Sequence, residues 1–128
     1  MKDLKEAEHW LNGAKHLLTS KEADPEKYTV IAAMPIHSII KSNDALTLKF
    51  LKRRAMRHDQ SITLFQQLIR ENKIPPEFSN LRNILMEGIQ NKSKADYKGA
   101  EITKSKAERW IKNAEKFYTK TKELLKDS

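Results

Sequence analysis

Residues 28–51 read YTVIAAMPIHSIIKSNDALTLKFL, and this stretch decides the fold class. Its apolar residues Ile31, Ala32, Ile36, Ile39, Ile40, Ala45, Leu46, Leu48, Phe50 and Leu51 occupy more than one side of a helix, which predicts a central helix packed on several faces. Just ahead of it, Asp24-Pro25-Glu26 combines a capping Asp, a Pro suited to the first helical position and an acid in the first turn. Pro35 removes a backbone hydrogen bond inside the helix and crowds the preceding turn, so a kink or break is expected nearby.

Helical patterns lie on both sides of this segment. Leu4, Ala7, Leu11, Ala14 and Leu18 recur at steps of three and four, with Asp3 as the expected N-cap and an end near Ser20. After His58 and Asp59, a third pattern places Ile62, Phe65, Leu68 and Ile69 together and ends around Asn72. Pro75-Pro76-Glu77 opens a fourth, whose stripe is Phe78, Leu81, Leu85 and Ile89. Residues 92–102 show no clear period and contain Gly99, so they read as a loop or a frayed helix end. The last pattern runs from Ala107 through Trp110, Ile111, Ala114, Phe117 and Tyr118 to Leu125. Ser105 and Glu108 are spaced as a capping box ahead of it, and Thr103 is the competing cap. Five segments with mostly short links predict an all-α, up-and-down antiparallel bundle of four to five helices, one domain spanning residues 1–128.

Composition narrows the function classes. At 128 residues the chain is long enough to bury about two-thirds of its unfolded surface. It has no Cys, which excludes disulfides, thiolate nucleophiles and sulfur-liganded zinc. The longest apolar run, Val30 to Ile36, falls far short of the roughly 20 residues that span a bilayer. The charged start leads into no apolar signal region, so no membrane association and a cytoplasmic location are expected. Lys and Arg number 25 against 17 acids, a formal net charge of +8 that raises a polyanion as partner. Residues 1–48 carry six Lys and seven acids, so the whole excess falls in residues 49–128.

The densest basic feature is Lys49, Lys52, Arg53, Arg54, Arg57 and His58, at the end of the central helix and the start of the next. Such a cluster can hold phosphates, with Arg giving bidentate contacts; equally, cations complement the negative end of a helix dipole at a solvated terminus. Phe50 is its one aromatic residue and supplies apolar footing with Met56, so base-specific stacking is not indicated. Arg53 and His58 are also candidates for metal-independent RNA cleavage, the His as base toward a ribose 2′-hydroxyl and the Arg stabilising phosphoryl charge. His37 is a third catalytic candidate. With Lys41 and Asp44 it forms a polar line on one helix face, which reads either as a groove lining or as hydrogen-bonded packing. His9 and His16 share a face without a third ligand, so no metal site is expected. No Gly-rich phosphate loop or nucleophile elbow occurs, and no cofactor is indicated.

In this order the segments resemble the HEPN family of small helical bundles. His37-Ser38-Ile39-Ile40-Lys41-Ser42-Asn43-Asp44-Ala45-Leu46 is similar to that family's second helix, with its polar turn before an Ala-Leu pair. His58 before Asp59 is similar to the His that opens its third helix, and Lys94-Ala95-Asp96-Tyr97 resembles its Arg-x-x-Ala-Asp-Tyr segment. Residues 107–117, from Ala107 to Ala114-Glu115-Lys116-Phe117, resemble its last helix; the likeness covers about residues 3–125. It implies a bundle that often forms homodimers and binds or cleaves RNA or binds nucleotides. It also implies a nucleotidyltransferase-like partner or a toxin–antitoxin-like setting. Active members carry an Arg, four to six residues and a His just before the last helix. Here that place is Lys92 to Tyr97, with neither residue, so the catalytic pair does not carry over.

The leading expectation is therefore a non-catalytic module that binds RNA or nucleotide phosphates. Lys49, Lys52, Arg53, Arg54, Arg57 and His58 form one edge of its site, and Lys92, Lys94 and Tyr97 another. A metal-independent endoribonuclease and a structural bundle that docks a partner protein are the alternatives.

Overall fold

The central stretch forms one helix because nearly every residue from Ile31 to Thr47 finds a packing partner. In the computed structural model, which describes residues 1–97 and 102–126 and the side chains of 1–92 and 102–126, the chain is all-α. Five helices occur among the described residues: α1 (Lys2–Leu18), α2 (Lys27–Leu51), α3 (His58–Arg70), α4 (Leu81–Tyr97) and α5 (Lys104–Lys126). A short 3-10 turn, Pro76–Asn80, precedes α4. No described helix is long and apolar enough to cross a membrane.

Side-chain contacts set the register. Ser38 Oγ donates to the Ala7 carbonyl at 2.8 Å, Trp10 stacks on His37 with centroids 4.7 Å apart, and Lys41 meets Glu6 at 3.1 Å. Partner numbers fall along α2 as they rise along α1, so the two helices are antiparallel. The Tyr118 hydroxyl donates to Glu8 at 3.1 Å and Lys15 pairs with Glu115, which runs α5 antiparallel to α1 and parallel to α2. Arg109 reaches Glu87 at 3.6 Å and Lys120 lies 5.5 Å over the Phe78 ring, so α4 runs antiparallel to α5. A Cβ placed on Gly88 would stand 3.7 Å from both Ile36 and Trp110, which puts the middle of α4 at the level of Ile36. Asn43 Nδ2 donates to the Ser61 carbonyl at 3.1 Å and joins α3 to the second half of α2.

The core is continuous across these contacts. Leu11, Ile31, Ile36, Ile39, Leu46, Phe65, Leu68, Leu81, Leu85, Ala114 and Phe117 are buried, and the Phe65 and Phe117 rings meet at 6.2 Å in a tilted pair.

Several local readings are corrected. Of the kink or break expected at Pro35, no break occurs: α2 runs through it as one helix, with Pro35 buried among the core residues. Asp3 is not the cap of α1 but lies in its first turn, one turn ahead of Ala7 on the buried stripe. Pro75-Pro76-Glu77 opens the 3-10 turn rather than α4 itself, with Phe78 N–H bonded to the Pro75 carbonyl. Of the loop or frayed helix end expected from residue 92, residues 92–97 are helical, because α4 continues to Tyr97: Lys, Ser and Ala keep helical backbone without an apolar period.

At α5, Thr103 wins over the Ser105–Glu108 box, its Oγ1 accepting from Lys106 N–H at 3.1 Å. Thr103→Ala is expected to cost about 1 kcal/mol in urea unfolding, while Ser105→Ala changes stability by less than about 0.5 kcal/mol. The reverse order would place the cap two residues later.

Candidate functional site

The α2 helix ends where the basic cluster begins. Lys52 takes the left-handed conformation at φ 61°, and its N–H turns back to the Thr47 carbonyl. A non-Gly residue held there is strained, and the link that follows brings Arg54 to Asp3 in the first turn of α1. The Met56 N–H donates to Gln60 Oε1 at 2.8 Å, tying this link to the first turn of α3.

The six cluster residues do not behave alike. Arg54 is committed: its Nη2 meets Asp3 Oδ2 at 2.5 Å, and that hydrogen bond holds the guanidinium pKa up. Asp3 is 2% exposed, so this is a pair between a buried carboxylate and a half-exposed guanidinium. Arg57 pairs with Asp59 at 3.3 Å on the open surface. Lys49, Lys52, Arg53 and His58 are exposed and enter no ion pair among the described residues.

Of the polar line His37, Lys41 and Asp44, the first two pack against α1, while Asp44 lines a cleft. His37 lies on Trp10, and Lys41 pairs with Glu6 at 3.1 Å and Asp3 at 3.9 Å. The hydrogen bond from Lys41 holds the Glu6 carboxyl below the usual range. Asp44 is different. It is 6% exposed, its carboxyl accepts no hydrogen bond among the described residues, and burial, followed by the neighbouring Asp3 charge, pushes its pKa up to about 6.

Asp44 opens onto a cleft of about 340 Å³ between the end of α2 and the following link. Ile40 comes to it from α2, Ala55, Met56 and Arg57 from the link, and His58 and Ser61 from α3. The cleft thus brings together Asp44, Arg57 and His58, which lie in separate parts of the sequence pattern. Arg53 does not line it, so the His58 candidate stands beside Arg57 instead of Arg53. His37 stands two turns back along α2, about 10 Å, against Trp10 on the α1 side.

Lys92 lies elsewhere. From the level of Ile36 and Gly88, α2 runs about 20 Å to Lys49, while antiparallel α4 runs about 6 Å the other way to Lys92. The two expected edges therefore sit near opposite ends of one protomer and do not form one groove within it. Lys94 and Tyr97 lie outside the residues whose side chains are described. No group of three or more His, Asp or Glu able to hold a metal occurs among the described residues.

Sequence reasoning missed Asp3, which reads as a cap, and Ser61, which lines the cleft and accepts from Asn43. The signal for Asp3 was its place four residues before Ala7, on the apolar stripe; Ser61 carried no signal. Comparison with protein-family models, with curated protein sequences and with solved structures finds no match.

Between about pH 4 and 6 the folded chain holds a proton at Asp44 that the unfolded chain has released, so this residue makes stability fall as the pH rises. The full penalty stands above about pH 6, and at about 1.4 kcal/mol per tenfold change in proton affinity it is at most about 3 kcal/mol. Asp44→Asn is expected to raise the melting temperature at about pH 7.5, by the equivalent of about 1–3 kcal/mol, and to leave it nearly unchanged at about pH 4. Equal effects at both pH values would mean that the carboxyl is solvated.

Proposed function

We propose that this chain is a HEPN-like helical bundle that binds RNA or nucleotide phosphates without catalysis, through the junction of α2 and α3. The observation that carries the reading is the set Lys49, Lys52 and Arg53: three exposed cations within five residues and without an ion pair among the described residues. Lys49 is the one basic residue in the last turn of α2 and complements its dipole, with Lys52 and Arg53 beyond it. A phosphate supplies the counter-charge that the fold leaves out, with Arg53 able to grip two oxygens at once. The first-turn N–H groups of α3, next to Arg57 and His58, add a second source of partial positive charge.

Lack of an Arg–His pair before α5 favours binding over cleavage, since Lys92 stands where the resemblance calls for the Arg. Within the same reading the protein is a cytoplasmic homodimer, with a nucleotidyltransferase-like chain as the partner class that the resemblance implies. Homodimer formation would also be the way to bring Lys92 of one copy toward the junction of another.

Filter binding of a short single-stranded RNA at low salt tests the proposal. The variant Lys49→Ala, Lys52→Ala, Arg53→Ala is expected to weaken retention at least tenfold. It also flattens the slope of log affinity against log salt by about 0.7 for each phosphate that is no longer neutralised. Lys112→Ala with Lys116→Ala, on the exposed side of α5, is the control and is expected to change retention by less than about twofold. Equal losses in the two variants would reduce the binding to overall charge.

A further inference from the structure

The cleft at Asp44 asks for a ligand of two-sided chemistry. At its inner wall stands Asp44, a residue only 6% exposed overall, whose carboxyl opens on the cleft and accepts no hydrogen bond among the described residues. A partly desolvated carboxyl that faces a cleft without a hydrogen-bond partner is well served by N–H donors on a ligand. At its mouth stand Arg57 and His58, with Lys49, Lys52 and Arg53 beyond. Those groups repel a cationic ligand, so an amine or a guanidinium suits the inner wall but not the approach. The ligand must carry N–H donors at one end and negative charge at the other.

The remaining walls are apolar. Ile40 and Ala55 line the cleft, and Met56 stands at its edge with 88% of its surface exposed. A large apolar side chain held that far into water, among cations, is suited to cover the face of a planar ring, and the Met thioether adapts to such a surface. The volume of about 340 Å³ lies at the lower end of small-molecule pockets, which run from roughly 300 to 1,000 Å³.

We propose that this cleft is a guanine-nucleotide pocket, in which the Asp44 carboxylate accepts the ring N1–H and the exocyclic amino N–H of the base while Arg57 and His58 meet its phosphate. Among the common bases guanine alone offers two adjacent donors on one edge. Adenine and cytosine set a ring acceptor beside their amino group, which a carboxylate repels, and uracil flanks its single N–H with two carbonyl oxygens. The pairing is charge-assisted and bidentate, the geometry that gives both strength and selectivity. The proposal rests on the phosphate-binding reading and sharpens it, by adding a base preference to a site otherwise blind to sequence.

Calorimetric titration of the full chain at low salt with the 5′-monophosphates of guanosine, inosine and adenosine tests it. Guanosine monophosphate is expected to bind at least about tenfold more tightly than adenosine monophosphate. Inosine monophosphate, which keeps N1–H but lacks the amino group, is expected to lose most of that advantage. Asp44→Asn is expected to bring guanosine and adenosine monophosphates within about twofold of each other, with folding checked by its melting curve. Equal affinity for the guanine and adenine nucleotides, equal affinity for the guanine and hypoxanthine nucleotides, or a preference that survives Asp44→Asn would overturn the pocket. If the wild type still retains polyadenylate while showing no guanine preference, the pocket fails and the phosphate reading stands. If it retains neither nucleotide nor polyadenylate, both fail.

Discussion

Burial of a polar run inside α2 is the constraint on which the rest of the structure depends. Ser38, Ser42, Asn43, Asp44 and Thr47 are all buried, on a helix packed against four others. Each of these groups must find a partner or carry a desolvation cost. Ser38 finds the Ala7 carbonyl, which brings α1 close over a small residue, and Asn43 finds the Ser61 carbonyl, which anchors α3. Asp44 finds neither. Its neighbours Asp3 and Glu6 are held by Arg54 and Lys41, so the local cations are spent on α1. Ser42 Oγ and Asn43 Oδ1 stay buried without a partner among the described residues, whereas the Asp44 carboxyl opens on the cleft and gives it its chemistry.

The Asp3–Arg54 pair has a second consequence. By fastening the link after α2 to the first turn of α1, it fixes where Met56, Arg57 and His58 stand. The same pair takes one cation out of the basic cluster, so charge available to a ligand is smaller than the sequence total and more sharply placed. Arg57 is half-engaged with Asp59, and Lys49, Lys52 and Arg53 remain. A net charge of +8 therefore resolves into one end of the bundle with open cations, one distant Lys92, and a Lys-rich face on α5.

The helices and their order were legible because 3.6-residue periodicity records which face is buried. Ala7, Leu11, Ala14, Phe65, Leu68, Leu81, Leu85, Trp110 and Phe117 all lie where their spacing puts them. At Pro35 the helix does not break: a proline rule weighs one hydrogen bond and not the packing around it. The end of α4 reads as either loop or frayed helix because a polar helix has no apolar period to follow. At the site, sequence located the cations but not their partners: Arg54 and Asp3 are 51 residues apart, and no local pattern links them. Separation of Lys49 from Lys92 likewise depends on the antiparallel course of α4, which composition does not encode.

The account holds that one end of the bundle, where α2 turns into α3, is the binding end. Amide chemical-shift mapping of the full chain during titration with guanosine monophosphate tests that most directly. The predicted result is a continuous set of perturbed resonances at Asp44, residues 49–58 and Ser61, with α5 and the stretch around Lys92 unmoved. Perturbations centred on Lys92 or on the exposed face of α5, with residues 44–61 silent, would contradict it.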